Sequence, residues 1–316
     1  MDYVVLVSKF PPPLGGVTIF AQRKAAKLQR AGSKINRVDL ACWYWPLLLL
    51  RARRSSALVV NTVNLSVLAV IFLLGRLGRS KIYDHNGSRH YVSGTLRRSL
   101  YLFFVRKSDG VVVVHHHLVE SYDQALRDKI TIESPFIEPD LTQEADILRD
   151  YPDEVKHFMC KDREVKIVNS AWKYVEDDRG RDLYGIGASV RLVSQIVTAG
   201  LSAKLLLAFG EFNYSDMPLS LQQEIDHARD AGYLVILDGQ KELWPVLRTA
   251  DVFLRLTSTD GQSISVHEAL HFGCAVVASD VVPRPADVLL YRYGDDAELL
   301  QIVQHIISKR SARAHA

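Results

Sequence analysis

The chain has 316 residues, 48% hydrophobic and 24% charged, with a formal net charge of +3. That is enough apolar material for two ordinary cores, and the balance excludes a disordered polar chain. Three cysteines, Cys42, Cys160 and Cys274, are too few and too scattered for a disulfide framework or a zinc-ligand spacing, and they fit a reducing cytoplasm.

The opening residues MDYVVLVSKF hold no basic stretch followed by a long apolar run, so a buried strand, not a secretory signal, is expected there. Strand Tyr3–Ser8 runs into the turn-rich loop Lys9–Gly16. Helical spacing over Val17–Ala31 is closed by Gly32. Ile35–Leu40, Leu58–Asn61, Lys81–Asp84 and Val111–Val114 read as further strands. Ala57–Gly75 is nearly long enough to cross a bilayer, but Asn61, Thr62, Asn64 and Ser66 divide it into strand, corner and helix. The polar, acidic run Leu141–Asp162 reads as a connection. A second series of strands follows at Val165–Asn169, Leu205–Phe209, Leu234–Asp238, Val252–Leu256 and Ala275–Ser279. Near-continuous Val/Ile/Leu runs alternating with helices predict parallel sheets buried on both faces. The expected organisation is therefore α/β, with one doubly wound domain over 1–140 and another over 141–316. Ligands of such sheets bind beyond the carboxyl ends of the strands, here across a cleft between the domains. No solenoid repeat or low-complexity tract interrupts this pattern.

Leu243–Asp280 carries the most chemistry. A strand (VFLRL) enters a Thr/Ser/Gly-rich loop, which opens a helix (VHEALHF) closed by Gly273. Asp260 precedes Glu268 by eight positions, and the amides around Gly261, Gln262, Ser263, Ile264 and Ser265 stand at the helix entrance. Unpaired N–H groups and the helix dipole stabilise an anion at such a point. Glu268 has the chemistry to accept two hydrogen bonds from a vicinal diol such as a ribose. Taken alone, the segment is also compatible with an ordinary capped helix.

The longer pattern, an acid, Gly, six further residues, Glu-Ala-Leu and then Gly before a Val-Val-Ala-Ser strand, resembles the nucleotide-sugar site of retaining family 4 glycosyltransferases. Their acid-x7-acid motif has Glu at both ends and here reads Asp260…Glu268. The resemblance implies the GT-B fold, two Rossmann-like domains facing across a cleft, with the second holding a nucleotide-diphosphate sugar. It gives Asp260 the donor-sugar hydroxyls, Glu268 the ribose, and the amides near Ile264 and Ser265 the phosphates. Two cations near the first strand of the second domain match Lys173 and Arg179, with the family's usual order of types exchanged. Such cations neutralise a diphosphate leaving group. Gly15 and Gly16 match the glycine-rich turn after the first strand. His85, with Gly87 after an inserted Asn86, matches a histidine near the transferred sugar; His90 is the alternative register. The chain has no Asp-x-Asp pair, so the resemblance implies no metal and no cofactor beyond the donor. Transfer with retention of configuration onto a glycan or lipid-linked acceptor of bacterial surface polysaccharide or glycolipid synthesis is the implied activity.

Rival readings use the same residues. A GT-B protein without turnover would serve as a binding subunit, since fold does not fix function; a nucleotide-sugar epimerase or hydrolase keeps the fold and changes the chemistry. His267-Glu268-Ala269-Leu270-His271 matches the H-E-x-x-H zinc-peptidase signature, with Glu298 or His305 as a third ligand. Residues 1–140 hold 20 Lys/Arg against 10 Asp/Glu, and the remainder 19 against 26. With Trp43-Tyr44-Trp45-Pro46 and the aromatic, basic run Leu96–Lys107, this basic half predicts contact with an anionic lipid surface on the inner face of the membrane. No nucleic-acid module is recognisable.

Overall fold

The computed structural model describes residues 3–53, 56–85, 95–114, 116–160, 164–260 and 263–314. The chain divides into two compact units, Met1–Pro139 and Asp140–Ala316, each built on one six-stranded parallel sheet.

In the first unit, β1 (Tyr3–Ser8), β2 (Lys34–Asp39), β3 (Ala57–Val60), β4 (Ser80–Asp84), β5 (Gly110–Val113) and β6 (Ile130–Ile132) lie in the order β2-β1-β3-β4-β5-β6. The side chains of Val5, Val7, Leu58, Val60, Ile82, Val111 and Val113 share one face with helices Leu65–Leu73 and Thr95–Lys107. Leu6 packs on the other face with Phe10, Ala21 and Ala25, the last two from helix Gly16–Arg30. Strands buried on both faces have no polar face to show, hence their unbroken apolar sequences. Each fully buried Val or Leu contributes about 1.5–3 kcal/mol by leaving water. Ala57–Gly75 resolves into β3, a corner capped by the Asn64 side chain, and the nine-residue helix Leu65–Leu73. No helix among the described residues is long and apolar enough to cross a membrane.

In the second unit, β7 (Val165–Ala171), β8 (Ala203–Phe209), β9 (Leu234–Leu237), β10 (Val252–Arg255), β11 (Ala275–Ser279) and β12 (Leu289–Tyr291) take the order β9-β8-β7-β10-β11-β12. Alternate residues of β7 and β8 divide between two cores. Val165, Ile167, Leu205, Leu207 and Phe209 pack with helices Ile186–Thr198, Leu219–Asp230 and Asp296–Ala314. Val168, Leu206 and Ala208 pack with helices Asp153–Phe158, Trp244–Leu247 and Ile264–His271.

Chain order reverses between β1 and β3 in the first sheet and between β7 and β10 in the second. The crevice at the carboxyl ends of such a strand pair is where doubly wound sheets bind ligands. The structure differs from expectation in two respects. Leu141–Asp162 is not an open connection: it holds helices Glu144–Arg149 and Asp153–Phe158, and Tyr151, Val155 and Phe158 are buried in the second unit's core. The edge strands β6 and β12 were not expected, being three residues long with two fully exposed residues each.

Candidate active site

At the reversal point of the first sheet, β1 ends in Ser8, Asn61 follows β3 and His85 follows β4. The Asn61 amide donates to Ser8 Oγ (3.0 Å) and to the Val17 carbonyl (3.2 Å). Its Oδ1 pairs with His85 Nε2. Because both amide protons are used, Nε2 is the donor and Nδ1 carries the lone pair. The His85 ring lies edge-on to Phe20, with centroids 4.7 Å apart. Burial pushes its pKa down to about 4, so the imidazole is neutral at pH 7. Its Nδ1 can accept a hydrogen bond; it does not supply charge.

Gly15 and Gly16 begin the helix after β1. Gly15 N–H donates to Thr18 Oγ1 (2.8 Å), whose hydroxyl donates to the Pro13 carbonyl (2.7 Å). Gly15 has an extended backbone (φ −142°), and a Cβ there would come no nearer than 3.9 Å to Thr18 Oγ1. Neither backbone angle nor internal packing therefore calls for glycine at this position. A pocket of about 340 Å3 opens beside this turn, lined by Lys9, Thr18, Trp45, Asn61, Thr62 and Asn64 among others.

In the second unit, Lys173 lies two residues beyond β7, half-buried, on the wall of an open pocket shared with Tyr174, Glu176 and Asp216. Arg179 stands elsewhere, exposed at the tip of a short hairpin closed by the Glu176–Asp182 bridge. Arg181 holds the base of that hairpin, donating from Nε to Asp177 Oδ2 (2.8 Å). Asp182 then caps the next helix, accepting from Tyr184, Gly185 and Gly187 N–H at 3.1, 3.0 and 2.9 Å.

Helix Ile264–His271 follows β10. Ser263 occupies its N-cap, but the Ser263 hydroxyl bonds the Ser265 hydroxyl (2.9 Å) instead of a first-turn amide. Gly261 and Gln262 lie outside the described residues, as do Asn86, Gly87 and His90. Glu268 is only 5% exposed. It lies near enough to Tyr151 that its charge, after burial and Glu242, helps to raise that phenol's pKa.

Asp260 is the most constrained of the candidate residues. Its carboxylate accepts a fork from Arg255, Nε to Oδ2 and Nη2 to Oδ1, both 2.9 Å. It also accepts from Arg284 Nη1 at 2.8 Å. Burial pushes the acid's pKa up, but the two guanidiniums outweigh burial and hold it below the usual range. Neither arginine was singled out from the sequence. Arg255 left a signal, a charge inside the apolar strand VFLRL that requires a buried partner; Arg284, between two prolines and 24 positions from Asp260, left none.

The zinc reading finds no support in the geometry. Among the described residues no group of three or more His, Cys, Asp or Glu is arranged to hold a metal ion. His271 packs edge-on against Phe272, with centroids 4.9 Å apart. Glu298 accepts from the Arg292 N–H (2.7 Å).

No protein-family model matches the chain, and no curated protein matches it in sequence. Solved structures do match in shape. HepE from Anabaena, in complex with UDP, superposes with a TM-score of 0.67 at 12% identity, covering 98% of this chain and 91% of HepE. A UDP-forming α,α-trehalose-phosphate synthase from Burkholderia xenovorans gives 0.64 at 12% identity, covering 99% and 93%. WaaG, a glycosyltransferase involved in lipopolysaccharide biosynthesis, gives 0.57 at 13% identity, covering 98% and 90%. At such identities the likeness is one of architecture, and it extends over nearly the whole of each chain: two parallel, doubly wound sheets in succession, the GT-B fold of glycosyltransferases.

Proposed function

We propose that this chain is a glycosyltransferase that moves a sugar from a nucleotide-diphosphate donor to an acceptor, with retention of configuration and without a metal ion. One observation carries the reading: Asp260 and the helix Ile264–His271, which carries Glu268, follow the carboxyl end of β10, where strand order reverses in the second sheet. A doubly wound sheet binds its nucleotide at such a point. The HepE complexes with UDP and UDP-glucose support the same ligand class.

In this reading Glu268 accepts from the ribose hydroxyls, and the Ile264 and Ser265 amides receive phosphate oxygens at the helix entrance. Lys173 and Arg179 offset charge as the bond between the sugar's anomeric carbon and the diphosphate breaks. The acceptor oxygen attacks the same face of an oxocarbenium-like centre, and its proton passes to the departing phosphate oxygen. Neutral His85, held by Asn61, accepts a hydrogen bond from a hydroxyl of the transferred sugar. The acceptor is a glycan or a lipid-linked saccharide, bound by the first unit, and that basic unit rests on anionic lipid at the inner side of the membrane.

The test is acceptor-dependent release of nucleoside diphosphate from a panel of nucleotide sugars. Donor consumed equally without acceptor would indicate an epimerase or hydrolase, and donor bound without turnover would indicate a binding subunit.

A further inference from the structure

Arg255, Asp260 and Arg284 form a cluster of two positive charges and one negative, with side chains only 13, 8 and 3% exposed. Arg255 is the last residue of β10, and its Nη1 also donates to the Ser170 carbonyl of β7 (3.3 Å). Arg284 Nη2 donates to Thr257 Oγ1 (3.4 Å). The cluster therefore lies at the carboxyl ends of the strand pair where chain order reverses, just ahead of helix Ile264–His271.

Two features of the cluster are unexplained by structural support alone. Both oxygens of Asp260 already accept from guanidiniums. Asp260 is the only carboxylate that bonds either arginine among the described residues, so one positive charge is left over in a place poorly reached by water. Arg284 Nε is buried and donates to nothing. Buried polar groups are rarely left unpaired, and a buried uncompensated charge is strongly unfavourable. An oxyanion answers both deficits through charge-assisted hydrogen bonds.

We propose that Arg255 and Arg284 are cations that receive the donor's diphosphate, and that Asp260 is a positioning residue holding them rather than a contact to sugar hydroxyls. This rests on the nucleotide-sugar reading above and adds two residues to it. The shorter reach of Asp relative to Glu fits the assignment: the carboxylate stays against the two guanidiniums instead of extending to a sugar ring.

The experiment is isothermal titration of the full chain with inorganic phosphate, inorganic pyrophosphate, UDP and UDP-glucose, with circular dichroism to verify folding. Arg284→Gln should weaken pyrophosphate and UDP by about tenfold or more, the scale of one lost charge-assisted contact. Arg149→Gln, which removes a cation that is 74% exposed, should leave both unchanged. In Asp260→Asn, UDP and UDP-glucose should shift by the same factor, leaving the ratio of their affinities as in the wild type. That ratio reads the positioning role even if Arg284→Gln does not fold.

Pyrophosphate binding unaltered by Arg284→Gln would overturn the inference. So would an Asp260→Asn variant that loses UDP-glucose but keeps UDP, or inorganic phosphate binding as tightly as pyrophosphate. A wild type that binds neither pyrophosphate nor any nucleoside diphosphate would instead remove the nucleotide-sugar reading itself.

Discussion

His85 shows how one residue's environment fixes its chemistry. Its folded pKa of about 4 lies below the value near 6.5 expected in an unfolded chain. Between these values the unfolded chain binds the extra proton, so stability falls as pH drops through that window. Replacing His85 with Gln should remove about 2 kcal/mol of the loss between pH 7 and pH 5. Urea denaturation at both pH values measures it, and parallel losses in wild type and variant would contradict the partly buried, neutral imidazole. Glu268 offers a binding test: Glu268→Ala should weaken nucleotide affinity by about tenfold or more, as expected for hydrogen bonds to a charged group. Lys173→Ala and Arg179→Ala should each slow kcat by about two orders of magnitude or more if they stabilise developing diphosphate charge. Unchanged kcat in both would take these cations out of the mechanism. Arg179 bears the sharper risk, since it is exposed at its hairpin tip and must reach the donor from there.

At the scale of elements, the long strands were legible because burial on both faces favours apolar runs, as in LLLAF of β8 and AVVA of β11. Edge strands β6 and β12 were not, because a three-residue strand with one bare edge needs no such run. The Leu141–Asp162 segment looked like a connection because it buries few residues, chiefly Tyr151 between its two helices and Val155 and Phe158 in the second. The site divides in the same way. The loop-to-helix segment ending in Glu268 is local and could be read from spacing, whereas the Arg284–Asp260 pairing exists only once β10 and β11 lie side by side. The turn before helix Ile186–Thr198 gives an element-level prediction. Gly185 has φ +67°, and a Cβ there would lie 2.5 Å from Leu256 Cβ and 2.7 Å from the Leu256 carbonyl oxygen. Gly185→Ala should therefore cost about 2 kcal/mol or more of stability. Urea denaturation measures the cost, and a neutral result would mean that the loop after β10 yields freely.

The whole molecule combines an architecture found in glycosyltransferases with an uneven distribution of charge. Helix Thr95–Lys107 buries Tyr101, Phe104 and Val105 while exposing Leu100 and Phe103 beside Arg97 and Lys107. Phe103 meets Phe72 of the neighbouring helix, with ring centroids 5.4 Å apart. The helix thus divides between a core-facing side and an exposed apolar side. The chain should bind anionic vesicles and not neutral ones. Arg97→Gln with Lys107→Gln should weaken that binding by about thirtyfold, from about 1 kcal/mol per basic residue at such a surface. Equal binding to both vesicle types in sedimentation would refute electrostatic docking. The central claim, that the second unit holds a sugar nucleotide, is tested most directly by melting the chain with a panel of nucleoside-diphosphate sugars. A ligand at a hundred times its Kd stabilises the folded state by about 2.7 kcal/mol. At least one sugar nucleotide should raise the Tm by several degrees, and Glu268→Ala should abolish most of that shift; a panel that moves the Tm of neither protein would contradict the account.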